Sequence, residues 1–321
     1  MRKILLLLLI LLTIDAGSVY GQDNAPDSVL IGSYVSSLNN FDIANNSISA
    51  DIHLWCLYND STFDFEKELE FINCEDFTLN GISVDDLDEK KWFYTKALIE
   101  SRQKYSTRNY PFDSQRIVFT IESSEYTTDD FVFVPDLKGS KLDSIVYNQF
   151  DEWQINNVEF SASETYYDTS FGDPEATSSA SPRFDIIITI SRVASWHILF
   201  KLITGIIVAF LISSCVFWIK PSNTDPRFGL CVGGLFAAIG NKYIVESIIP
   251  STNELTLLDS LHNITFITIF IIIILSVISL HIYERDDEKN IKLSRRIDIT
   301  SYAVLNIFYF ANFAYLIYTY S

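Results

Sequence analysis

The chain has 321 residues, room for a receptor-sized domain plus a membrane domain. A hydrophobic share of 48% and a mean hydropathy of +0.18 exceed what most soluble proteins carry. Its 41 acidic and 23 basic residues leave a net charge of -18, which argues against a nucleic-acid partner, because a phosphate backbone needs a basic face. The histidines (His53, His197, His262, His281) are scattered and show no zinc spacing, and no nucleophile–base set or phosphate loop stands out. The expectation is therefore a non-enzyme with no metal site and no cofactor.

The N-terminus reads as a secretory signal over residues 1–21. Arg2 and Lys3 precede an apolar run from Ile4 to Ile14, and Val19-Tyr20-Gly21 offers a cleavage region. The other reading of this run is a fifth membrane helix. Residues 22–192 read as an exported all-β domain, an immunoglobulin-like sandwich. Strands are expected at Val29–Val35, Ser49–Tyr58, Arg116–Glu122, Phe131–Val134, Gln154–Ser161 and Arg183–Ser191. Asn39-Asn40, Asn45-Asn46 and Gly172-Asp173-Pro174 separate them, and Ala176 to Pro182 reads as a hairpin tip. Cys56 and Cys74 lie where a disulfide is chemically allowed, but spacing alone does not settle whether they pair.

Residues 193–321 read as an all-α membrane domain. Its four apolar segments, about Trp196–Ile219, Phe228–Ile249, Leu257–Tyr283 and Ile299–Thr319, are each long enough to cross a bilayer as a helix. Cys215 and Cys231 fall inside them and read as small apolar residues. Lys220 and Arg227 flank the first turn. Arg285, Lys289, Lys292, Arg295 and Arg296 lie in the charged link Glu284–Asp298, whereas Pro250–Thr256 has no basic residue. The positive-inside bias thus predicts an outside N-terminal domain and an outside C-terminus.

The second span differs from the others in its glycines and polar groups. Gly229, Gly233, Phe236, Gly240, Tyr243 and Ser247 follow one another in steps of three and four, so they form one helical stripe. Val232, Leu235 and Ile239 flank it and suit packing. Two readings stay open: close packing on another helix, or the wall of a water-filled pore shared by several copies. Lys242 and Glu246, four residues apart, can pair. That pair reads as a structural lock or as an ion-binding site.

Four local patterns resemble the bacterial branch of the pentameric ligand-gated ion channels, relatives of the Cys-loop receptors. Ile31-Gly32-Ser33-Tyr34-Val35, with Phe41-Asp42 and Ala50-Asp51-Ile52-His53-Leu54-Trp55, resembles the family's first two strands. Tyr110-Pro111-Phe112-Asp113-Ser114-Gln115 resembles its signature loop, without the flanking cysteines. Arg192 stands just before the first span. Asp225-Pro226-Arg227-Phe228-Gly229-Leu230 opens the second span and Ile248-Ile249-Pro250 closes it.

The resemblance implies a homopentamer in a bacterial inner membrane, multi-pass, with the N-terminal domain in the periplasm. A small-molecule or ion ligand would bind at subunit interfaces and gate a pore for inorganic ions. One side of each interface would supply Phe71, Glu75, Glu122, Tyr126, Tyr166, Tyr167 and Phe171, and the neighbour would supply Trp55. Aromatic and acidic residues there favour an amine or a metal cation, although Trp55 and Tyr126 also fit a sandwich core. Asp42, Asp113, Arg192 and Pro250 would couple the two domains; a purely structural salt bridge is the plainer reading of the charged members. Asp225 and Arg227 would stand at the inner mouth. The acidic outer domain, with Asp225, Glu246 and Glu254, favours cations, and Arg227 opposes this if it faces the axis. A departure from the family is the absence of a proline in the first span, which has Gly205 instead. The alternative function is a non-conducting, membrane-anchored sensor of the same fold.

Overall fold

Strand alternation builds the N-terminal domain. In the computed structural model, which describes residues 26–59, 62–148, 150, 152–169, 171, 179–249 and 254–320, ten strands form two sheets. The first sheet runs β4(Cys74–Leu87), β5(Lys90–Arg102), β2(Ser47–Tyr58), β1(Asp27–Asp42), β7(Phe131–Pro135), with β8(Lys141–Leu142) also on β1. The second runs β3(Leu69–Phe71), β6(Ser114–Ser123), β10(Ser179–Arg192), β9(Trp153–Tyr167). Pairing is antiparallel except where β7 and β8 lie parallel to β1.

Every second residue of β2, from Ile48 through Ile52 and Cys56 to Tyr58, is buried, and so are Phe184, Ile186, Ile188 and Ile190 of β10. These two rows meet in one apolar core, as the period-two geometry of a strand requires. Cys56 belongs to that core, where burial pushes its thiol pKa up, and it is unpaired. The Cys74 sulfur faces the Phe71 carbonyl at 2.9 Å, so no Cys56–Cys74 bridge forms.

All six expected strands are present, and four more join them: the short β3 and β8, and the long β4 and β5. β4 is exposed along most of its length and rich in acids, so no alternation marks it. β5 does alternate, burying Phe93, Thr95, Ala97 and Ile99, but Lys90, Lys91, Lys96 and Glu100 along it mimic a helix surface. The segment 1–21, the tip at Gly172-Asp173-Pro174 and residues 176–178 lie outside the described residues, while the rest of the expected tip, from Ser179 to Pro182, already pairs with β9 as the start of β10.

At Ala194 the backbone takes a left-handed φ of 57° and turns β10 into the first of four long helices. These are α1(Ser195–Ser214), continued by a tight turn to Trp218, α2(Thr224–Ile248), α3(Leu257–Tyr283) and α4(Glu288–Tyr320). All four are long and apolar enough to cross a membrane. Exposed Trp196 and Trp218 bracket α1 about 33 Å apart at 1.5 Å per residue, close to the thickness of a hydrocarbon core. Thr265 and Thr268 return their hydroxyls to carbonyls one turn back, which satisfies them without water. The charged link expected at Glu284–Asp298 is mostly helix, because α4 already starts at Glu288.

Phe210 of α1 stacks on Tyr309 of α4 at 3.8 Å, and the Tyr309 hydroxyl meets Thr265 of α3 at 3.0 Å. At one end of the bundle the Arg227 guanidinium of α2 donates to Asp298 of α4 at 2.5 Å.

Candidate functional site

The stripe on α2 is the most distinctive surface of the helix domain. Arg227, Cys231, Gly234, Ala238 and Val245 are buried against the other helices. Gly229, Gly233, Phe236, Gly240, Tyr243 and Ser247 each follow one of these positions, or half-buried Asn241, by two residues. Two residues are 200° of helix, so the stripe points away from the bundle. All six members are exposed, Phe236 by 68% and Tyr243 by 70%. Asp225, also exposed, extends the same stripe by one turn.

The glycines separate into two kinds. A methyl group at Gly229, Gly233 or Gly240 would meet nothing within 4 Å. A methyl at Gly234 would collide with Ser213 Oγ and come within 2.7 Å of the Ala209 carbonyl, and one at Gly205 would lie 2.6 Å from Asn241 Nδ2. Gly205 and Gly234 are thus the close-packing glycines of the helix bundle, and the stripe glycines do not serve that purpose within it. Leu235, half-buried, packs with Ala209, Ala238 and Ile269, whereas Val232 stays exposed.

Arg227 is not at the mouth of the stripe. It is 1% exposed and turned toward α4, because its nearest counter-charge, Asp298, lies there. Lys242 and Glu246 approach to 3.5 Å along the helix, both partly exposed.

The domain junction is built around Arg192. It donates from Nε to Asp113 at 3.0 Å and from Nη1 to Glu152 at 3.3 Å, and its guanidinium lies 4.8 Å from the Tyr110 ring and 4.2 Å from Trp153. A charge so deeply packed is held by paired acids and aromatic faces. Glu152 is a member that sequence reasoning missed.

Asp42 does not join the pair. It caps its own turn, accepting from Ala44 N, Asn45 N and Asn45 Nδ2, and the Asn45 side-chain bond leads in holding its pKa below the ordinary value. Asp42 and Arg192 still line one junction cavity of about 770 Å³. Phe112 meets Trp196 edge-on at 4.9 Å, Ser106 Oγ donates to Glu254 at 3.0 Å, and Leu257 N donates to the Arg108 carbonyl at 3.1 Å, so the signature-like loop touches α1 and the segment just before it touches the α2–α3 link and the start of α3. Pro250 lies outside the described residues.

The residues expected to bind ligand divide into two groups. On the outer face of the second sheet, Tyr167 donates to Glu122 at 2.6 Å, Arg183 Nε donates to the same carboxylate at 2.6 Å, and Phe171 meets Tyr167 edge-on at 5.4 Å. Burial first, then the bond to Glu122, raises the Tyr167 phenol above its usual pKa. Exposed Tyr166 reaches Glu164 at 2.8 Å. Arg183 was missed, although it stands opposite Glu122 in the strand register.

Phe71 does not belong to this site. It is 3% exposed and packs against Phe77 in the core, because β3 turns that side inward. Tyr126 packs on Phe63 at 4.9 Å and donates to the Thr62 carbonyl. Glu75 is held by Arg102 at the sheet edge.

Trp55 lies on the outer face of the other sheet, since its neighbours Leu54 and Cys56 point inward. Its indole donates to Asp136 at 3.2 Å and covers Gly32, where a methyl would lie 2.5 Å from the ring. The two aromatic groups therefore occupy opposite faces of one sandwich, and a single chain does not bring them together. Among the described residues no group of His, Cys, Asp and Glu could hold a metal ion.

Comparison with the models of known protein families finds no match, and comparison with curated proteins finds no relative. The chain is, on its own geometry, a β-sandwich joined to four helices long and apolar enough to cross a membrane.

Proposed function

We propose that the chain is one subunit of a homopentameric, ligand-gated ion channel of a bacterial inner membrane, with the sandwich in the periplasm. The observation that carries the reading is the unpartnered stripe on α2, opposite that helix's buried face, with open space around Gly229, Gly233 and Gly240. Lipid tails give no reason for a row of glycine, serine and tyrosine; a water-filled lumen shared by five copies does. Phe236 then forms an apolar ring that closes the lumen by expelling water, with Tyr243 two turns outward as a wetter second ring.

Neighbouring subunits would bring Trp55 of one copy against Tyr167, Phe171, Glu122 and Arg183 of the next. The contact of Ser106 with Glu254 supports transmission of ligand binding to the end of α2. Asp225 on the stripe and the neutralised Arg227 support cation preference. The rival, a non-conducting sensor, draws on the crowding side chains of Phe236 and Tyr243. Planar-bilayer recording of the purified protein through a ligand and pH screen tests the choice: gated unitary currents support the channel, and a silent, correctly assembled protein under every condition contradicts it.

A further inference from the structure

We infer that Asp298 of α4, although it lies behind the stripe-bearing helix, is a residue that determines ion selectivity. The inference rests on the channel reading above and concerns the sign of the charge at the inner mouth. The first turn of α2 carries Asp225 on the exposed stripe and Arg227 on the buried face. Those two charges cancel, so a third decides the sign. Asp298 supplies it: its carboxylate accepts from Arg227 Nη2 at 2.5 Å, and both side chains are buried.

The pair is held in place by the bundle. Ser279 of α3 and Ser294 of α4, both fully buried, face each other at 2.8 Å, and Ser294 Oγ donates to the Ser279 carbonyl at 2.9 Å. Ser294 lies one helical turn before Asp298, so this clamp fixes the carboxylate relative to α3. Arg227 Nε and Nη1 have no hydrogen-bond partner, and Asp298 is the one carboxylate that Arg227 pairs with among the described residues. Its compensation therefore depends on a single group.

Burial does not hide such a charge from ions in the lumen. The back of α2 stands one helix diameter, about 10 Å, behind its lumen side. That distance is close to the Debye length at roughly 0.1 M salt, and the protein between screens less than water does. Five unpaired guanidiniums would repel cations from the mouth, whereas five ion pairs present only short dipoles. With Asp298 in place, Asp225, Arg227 and Asp298 carry one net negative charge per subunit, and the mouth attracts cations. Without it they carry none.

Reversal potentials of the purified full-length protein in planar bilayers, under a sodium chloride gradient, provide the test. The cation-to-chloride permeability ratio is expected to follow the summed charge of the three residues. Asp298→Asn is expected to lower it about tenfold, and Arg227→Gln with Asp298→Asn to restore it, although both variants lack the buried pair. Asp225→Asn, which disturbs no buried group, is expected to lower it by a similar factor. Asp225→Asn with Asp298→Asn is expected to reverse it to chloride preference. A purely structural salt bridge would instead change yield or melting temperature and leave every reversal potential in place. A ratio unmoved by Asp298→Asn, a double Arg227→Gln, Asp298→Asn variant as weakly selective as Asp298→Asn alone, or chloride preference in Asp225→Asn alone would each overturn the inference. The last is read even where the Asp298 variants do not assemble. A silent wild-type protein contradicts the channel reading and the inference together, whereas those three outcomes leave the channel standing.

Discussion

Phe236 occupies the middle of the exposed stripe, with glycine one turn to either side, so nothing but its own ring narrows the space before it. Confined water beside such a ring loses hydrogen bonds that the wall cannot replace. Phe236→Ser is expected to give constitutive current or activation at lower ligand concentration in bilayer recordings; unaltered closed-state leak and activation would show that another face lines the pore. Leu235→Ser removes half-buried packing instead and is expected to lower thermal stability or yield. The buried pair makes a different demand. Asp298→Asn leaves Arg227 charged in a dry site and is expected to cost about 3 kcal/mol or more, read as a lowered melting temperature in detergent.

At this scale the sequence was informative where side-chain type alone decides the environment, as with the Phe236 stripe and the Asp113–Arg192 pair. It failed where one rotation of the backbone chooses between two environments: Phe71 turned into the core, and Arg227 turned from the lumen to α4. Arg183 escaped notice because its importance lies in standing across from Glu122, and strand register is not written in either segment alone.

α2 owes its orientation to the contrast between its two glycine classes. Gly234→Ala would force the Ser213 hydroxyl and the Ala209 carbonyl aside, an overpacking cost of about 1–3 kcal/mol. Gly233→Ala meets open space and gains helix propensity of about 1 kcal/mol. Thermal unfolding of the two variants is therefore expected to move in opposite directions, and a comparable loss in both would mean that the stripe is packed against protein. The four helices were legible because a bilayer demands long apolar runs, while the edge strand β4 was not, since only its first half, through Phe77 and Leu79, turns toward the core and the rest is exposed.

For the whole molecule, the separation of Trp55 from the Tyr167–Phe171 group across the sandwich and the unpartnered face of α2 have one common remedy, a ring of copies. In such a ring Asp225 would approach its counterparts around the axis, and the acidic outer domain would concentrate cations at the entrance. Reversal potentials under a salt gradient are expected to shift toward the cation potential; a shift toward the chloride potential would contradict the assignment of Asp225. The most direct test of the account is the mass of the detergent-extracted protein by native mass spectrometry. Five copies per particle is the predicted result, and a monomer or dimer would leave the α2 stripe without a shared axis and contradict the pore.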